Sequence, residues 1–285
     1  MRFVTFLNPQ GAPEPGVVSN DHVIGLHGAG FGSILDILGG GADALAKVSQ
    51  WVAAPGESSV HPLVSTKLLA PIPRPPKIIC VGLNYRDHAE ESNMPIPERP
   101  TIFSKFSNTV IAPGENIVLP KNSEKPDYEA EFGLVIGKGG RHIKGENWKD
   151  VVFGYTNVHD VSARDFQLAT SQWLMGKTFD TFCPVGPYVV TADEIADPHN
   201  LRVTCTINGE VLQDGNTKHL IFNIPTLIEY LSSVFTLEPG DIISTGTPAG
   251  VGFGRKPPRW LKAGDTVTIE CEGLGQLTNP VVLEQ

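Results

Sequence analysis

Asp127-Tyr128-Glu129-Ala130-Glu131-Phe132-Gly133-Leu134-Val135-Ile136-Gly137 alternates with a period of two, with apolar residues at 128, 130, 132, 134 and 136. That period is the signature of a β-strand. The opposite face opens with Glu129 and Glu131 and then turns small and apolar with Gly133 and Val135. Two carboxylates therefore stand side by side at one end of a strand whose remaining length is buried on both faces. Adjacent anions repel, and a pair without a partner raises the pKa of one member. A hard divalent cation such as Mg²⁺, Mn²⁺ or Ca²⁺ removes that cost and takes oxygen ligands of this type. A third acid, Asp160, follows the apolar strand expected over residues 151–158. The competing reading makes Glu129 and Glu131 a solvated strand edge and Asp160 a helix N-cap.

Working outward, the 285-residue chain is long enough for one large domain with a small appendage. Its 30 glycines and 24 prolines favour a β-rich α+β fold with many turns over a helical bundle. The net charge of −9, without a Lys/Arg run, argues against nucleic-acid or anionic-membrane partners. No apolar run approaches the roughly 18–20 residues that span a bilayer. The opening apolar run stops at Asn8-Pro9, too short for a signal-peptide core, and the start is poor in arginine for a mitochondrial presequence. Cys80, Cys183, Cys205 and Cys271 show no C-x-x-C spacing and read as reduced core thiols. These features point to a cytoplasmic protein, with the mitochondrion left open.

Residues 1–72 read as a small α/β unit: a hairpin from 3–7 and 16–26, a helical turn at 33–38 halted by Gly39-Gly40-Gly41, and a helix over 42–52. The proline-rich run 71–76 marks the boundary with a catalytic unit over 73–285. A buried strand at 77–83 leads into Tyr85-Arg86-Asp87-His88-Ala89-Glu90-Glu91, where a helical turn puts His88 and Glu91 on one face. A carboxylate beside an imidazole makes a proton-transfer pair near neutral pH, although an exposed charged turn has the same spacing. Residues 94–100 suit a mobile lid over a pocket. Lys105 interrupts a strand at 101–106, Gln167 lies two helical turns beyond Asp160, and Lys177 stands alone among apolar neighbours. Such a lysine pairs with a carboxylate or binds one. Asn208-Gly209 signals a hairpin, and 223–235 a core helix. The Gly-rich run 245–252 fits neither a P-loop nor a dinucleotide fingerprint; its amides and threonine hydroxyls are suited to gripping a small carboxylate.

Five ordered motifs now stand together: VGLNYRDHAEE (81–91), DYEAEFGLVIG (127–137), HDVSARDFQ (159–167), GKTFDTFCPVGP (176–187) and EPGDIISTGTPAGVG (238–252). Over residues 75–280 the chain resembles the fumarylacetoacetate hydrolase family, in its smaller members. The resemblance implies a mixed β-roll around a Mg²⁺ or Mn²⁺ site, in a homodimer. It implies Glu129, Glu131 and Asp160 as metal ligands, and His88 with Glu91 as an acid–base pair in which Glu91 orients His88. Lys177 is implied to act beside the metal. Gln167, Thr247 and Lys105 fall to substrate binding, together with Arg164, whose part is support of the site.

A metal chelating the 2-oxo and carboxylate oxygens of a 2-oxo acid stabilises an enolate. With His88 and Glu91 activating water, such a site cleaves the C–C bond of a 2,4-dioxo acid (an acylpyruvate), which is the expectation favoured by the complete H-x-x-E pair. The same site supports keto–enol tautomerisation or decarboxylation of oxaloacetate. A non-catalytic protein binding metal and oxo acid predicts loss of His88, Glu91 or Lys177, and all three are present.

Overall fold

A computed structural model describes residues 1–91 and 93–285. Its centre is the strand Ala130–Ile136, buried at every position. The alternation expected over 127–137 is realised in two pieces. Pro126–Asp127 pairs with Ser162–Ala163, and the regular strand begins at Ala130. The interruption has a local cause: the Asp127 carboxylate accepts from the amides of Tyr128, Gly252 and Phe253, which holds the backbone out of the ladder.

Ala130–Ile136 runs antiparallel between Val152–His159 and Ile242–Ser244. Ile78–Gly82 lies parallel to Ile242–Ser244, and Thr101–Lys105 closes that edge. Beyond Val152–His159 come Cys183–Thr191 and then Arg2–Leu7, which carries the N-terminal strands Pro13–Ser19 and His22–Gly25. Among the described residues this makes a mixed sheet of 12 strands, packed with a second sheet of five built on Arg202–Ile207 and Thr266–Cys271. The fold is α+β with a large β core, and no helix among the described residues is long and apolar enough to cross a membrane.

The N-terminal helix spans Ile34–Ala53 with a non-helical break at Gly41, so the turn and the helix expected there are joined across a kink. Ser33 and Asp36 cap it reciprocally. Its buried Ile34, Ile37, Leu38 and Val48 share one apolar cluster with Phe3, Val135 and Val189. The main core gathers Phe132, Leu134 and Ile136 with Leu227, Ile228 and Leu231 of the helix Ile224–Val234 and Val203 and Ile269 of the second sheet. All four cysteines are buried free thiols.

Candidate active site

Register brings the acids together. Glu131 pairs with Val158 and Ala130 with His159, so Asp160 emerges beside Glu129 and donates its amide to the Glu129 carbonyl at 3.0 Å. Glu129, Glu131 and Asp160 each offer a carboxylate oxygen within 4.8 Å of the others, and all three are buried. The solvated-edge reading is therefore excluded. The same sheet end delivers Ser244 and Gly246, which donate hydroxyl and amide to Oε2 of Glu131.

Three cations answer these acids. Lys177 Nζ bridges Glu129 and Asp160, at 2.7 Å from each. Arg164 lies 2.6 Å from Glu129 and 2.8 Å from Asp127, and also donates to Gln167 Oε1 at 2.9 Å. Lys105 Nζ donates to Asp160 Oδ1 at 2.6 Å and to the Val161 carbonyl at 3.0 Å. Its side chain is fully buried and does not line the cavity described below, so it touches Asp160 from behind. With Asp127 counted, four carboxylates face three cations, leaving one negative charge when all are ionised.

That surplus falls on Glu131, which has a hydroxyl and an amide for partners but no cation. Burial, then the charges of Asp160 and Glu129, push its carboxyl up to about 8. Burial acts the same way on Glu129, but Lys177 and Arg164 outweigh it and hold that carboxyl below its ordinary range. Burial disfavours the charge on Lys177, yet Asp160 and Glu129 prevail and raise its pKa. Convergent, buried, oxygen-only donors with an unbalanced negative charge fit a hard divalent cation.

His88 and Glu91 occupy the helix Arg86–Glu91, with His88 Nδ1 3.5 Å from Glu91 Oε2. Glu91 in turn accepts from the amide of Gly250 at 3.0–3.1 Å. Burial raises the Glu91 carboxyl, while His88 and the Gly250 amide bring it below its usual value overall. Gly-rich-loop amides thus go to the protein's own carboxylates: Gly246 to Glu131, Gly250 to Glu91 and Gly252 to Asp127. Thr247 is also engaged, donating to the Ala130 carbonyl at 2.9 Å and accepting from Gln213 at 2.8 Å. The carboxylate-gripping role expected of those three amides is taken by internal anions.

A cavity of about 120 Å³ opens over this cluster. His88, Glu129, Glu131, Arg164, Gln167, Lys177 and Thr247 line its polar side, and Val81, Leu83, Met94, Trp173 and Phe253 its apolar side. Glu91, Asp160 and Lys105 stand behind the lining. Asp127, Ser244, Phe253 and Trp173 were not singled out from sequence. Asp127 sits in the quoted acidic stretch and Ser244 in the motif 238–252, whereas Phe253 and Trp173 lie just outside the quoted motifs. A larger cleft of about 550 Å³ between the N-terminal helix and residues 137–153 contains none of the acid cluster.

Residues 77–282 match the family model described as fumarylacetoacetate (FAA) hydrolase C-terminal. The chain is 49% identical over 251 residues to a mitochondrial oxaloacetate tautomerase of Rattus norvegicus, across 88% of this chain and 80% of that protein. Among solved structures, it is similar to a fumarylacetoacetate hydrolase from Exiguobacterium antarcticum, at 34% identity and a TM-score of 0.87 over 100% of both chains. It is also similar to a maleylpyruvate hydrolase from Sphingobium sp. SYK-6 in complex with manganese(II) and pyruvate, at 30% identity and a TM-score of 0.84 over 100% of both.

Proposed function

The chain belongs to the fumarylacetoacetate hydrolase family, and from that premise we propose that it is a divalent-metal-dependent oxaloacetate keto–enol tautomerase. The observation that carries acid–base chemistry on a 2-oxo acid is the His88–Glu91 pair lining and backing the small cavity over Glu129, Glu131 and Asp160, a pair that serves hydrolysis and tautomerisation alike. The name of the Rattus norvegicus relative supports tautomerisation over the C–C hydrolysis favoured from sequence. A cavity of about 120 Å³, well below the roughly 300–1,000 Å³ of drug-sized pockets, suits a small acid.

In this reading Glu129, Glu131 and Asp160 would hold Mg²⁺ or Mn²⁺, which would supply a Lewis acid for a 2-oxo acid. His88 moves the proton at C3: in the enol-to-keto direction C3 gains a proton from the imidazolium as the enol oxygen gives up its own to solvent, and the reverse direction runs these transfers backward. His88 Nδ1 faces Glu91, so Nε2 is the nitrogen that accepts and returns the proton. Glu91, fixed by the Gly250 amide, stabilises the imidazolium. Lys177 spends two of its three ammonium donors on Glu129 and Asp160 and keeps one for charge developing on the substrate oxygen. Gln167 lines the cavity with its carbonyl oxygen held by Arg164, which leaves its amide nitrogen free to donate to substrate. Thr247 shapes the wall, and Lys105 holds Asp160 in place. Residues 1–72 form the appendage and 73–285 the catalytic unit, in a homodimer, and the relative's name favours a mitochondrial over a cytoplasmic setting.

Hydrolysis of an acylpyruvate is the second reading, supported by the likeness to the maleylpyruvate hydrolase. Purified protein with Mg²⁺, offered acetylpyruvate and oxaloacetate side by side, separates the two. Enol loss from oxaloacetate without pyruvate or CO₂ is the expected result. Pyruvate released from acetylpyruvate, with the oxaloacetate enol untouched, would replace the proposal with the hydrolase.

A further inference from the structure

Gly82 ends the strand Ile78–Gly82 and does not have a positive φ. Its backbone conformation therefore does not call for glycine. Its surroundings do. A Cβ at this position would lie 2.2 Å from Cζ3 and 2.9 Å from Cη2 of Trp173. The bare backbone is a seat for the indole, which also meets Phe103 edge-on, at a centroid distance of 5.6 Å and an angle of 68°. Phe103 in turn carries Lys177 Nζ over its ring at 4.9 Å. Trp173 immediately precedes the helical turn Leu174–Lys177, so one turn sets both the indole and the ammonium.

The site is thus layered: bridged acids, then Lys177, then Phe103, then the indole locked against Gly82. Trp173, Phe103 and Lys177 all line the cavity of about 120 Å³. Charged groups at one end are equipped to recognise the oxo and carboxylate oxygens that every 2-oxo acid shares. They do not gauge the length of an apolar tail. The ring at the other end does, because its seat against the Gly82 backbone leaves it no room to move in that direction.

We propose that Trp173, seated on Gly82, is a specificity-determining residue: it closes the cavity at the tail end and confines the site to 2-oxo acids with short tails. The inference rests on the 2-oxo-acid reading above. Removing an indole from so small a cavity opens the tail end, while the acid cluster and its cations keep their own bonds.

The test is calorimetric titration of the Mg²⁺-loaded protein with pyruvate, 2-oxobutanoate, 2-oxopentanoate and 2-oxohexanoate, on the wild type, Trp173→Phe and Trp173→Ala. In the wild type, affinity falls as the tail lengthens. In Trp173→Ala the six-carbon acid gains on the three-carbon acid by about tenfold or more, the scale on which apolar pockets discriminate tails. Trp173→Phe lies between. An unchanged ratio in folded Trp173→Ala overturns the inference and leaves the 2-oxo-acid reading standing. A wild type that binds none of the four acids removes that reading and the inference with it. Should Trp173→Ala not fold, Trp173→Phe decides: a shift in the same direction supports the wall, and an unchanged ratio overturns it.

Discussion

Glu131 is the residue on which the electrostatics of the site turn. Glu129 and Asp160 share Lys177, and Glu129 has Arg164 as well, but Glu131 has only Ser244 and the Gly246 amide. Burial and its anionic neighbours push it up to about 8. Because the folded-state pKa lies above the ordinary carboxyl value of 4.5, this group's contribution to stability is full below about 4.5. It is lost as the pH rises through about 8. A divalent cation binds the ionised form and offsets that loss, so cation uptake below pH 8 releases a proton. The melting-temperature gain from Mg²⁺ is therefore expected to grow between pH 6 and pH 8, with apparent affinity rising by at most about tenfold per pH unit. Differential scanning fluorimetry with and without Mg²⁺ checks this; a gain that is flat or falls over that window would contradict it.

At the scale of elements, the short helix Arg86–Glu91 and the Gly-rich loop act as one piece, joined where Gly250 donates to Glu91. Arg255 fastens the loop further by donating to the Gly250 and Leu212 carbonyls. The helix thereby presents His88 to the cavity without touching Glu129, Glu131 or Asp160 through any hydrogen bond. Glu91→Gln keeps the shape and removes the charge that supports the imidazolium. It is expected to lower kcat for the proposed tautomerisation by about 100-fold, the scale of general acid–base assistance, while leaving Mg²⁺ affinity within about twofold. Steady-state kinetics with Mg²⁺ titration measures both, and a parallel loss of Mg²⁺ affinity would move this pair into the metal site.

These elements also show what local sequence carries and what it does not. The period of two in 128–136 and the i, i+3 spacing of His88 and Glu91 are local; the first appears as strand over Ala130–Ile136, short of Tyr128 and Glu129, and the second as helix. That Asp160 lands beside Glu129 depends on a strand register linking residues about 30 apart, which spacing alone does not specify. The partners of Lys105 and of the loop amides are likewise set by the sheet order. Lys105 was legible as an interruption in an apolar strand, but not as a cation beneath Asp160. Nothing local marks Gly82 as the seat of Trp173, 91 positions away, because the reason for that glycine is a ring that only the folded chain brings there.

For the whole molecule, the N-terminal residues pack into the sheet that carries the acid cluster. Arg2–Leu7 pairs with Cys183–Thr191, and Phe3, Ile34, Ile37 and Leu38 bury Val135 and Val189. Val135 belongs to the same strand as Glu131, so this packing backs the element that carries the acids. Expressing residues 73–285 alone would expose that apolar face. The fragment is expected to aggregate or to melt well below the full chain, as followed by size-exclusion chromatography and circular dichroism. A monodisperse fragment with an unchanged melting temperature would make the appendage dispensable for folding. Metal-dependent tautomerisation shows most directly in the rate at which enol-oxaloacetate loses its absorbance. Residues 1–285 are expected to accelerate that loss over the buffer blank in Mg²⁺, with the acceleration abolished by chelator and restored by added Mg²⁺. A rate equal to the blank, or one that chelator leaves unchanged, would contradict this expectation.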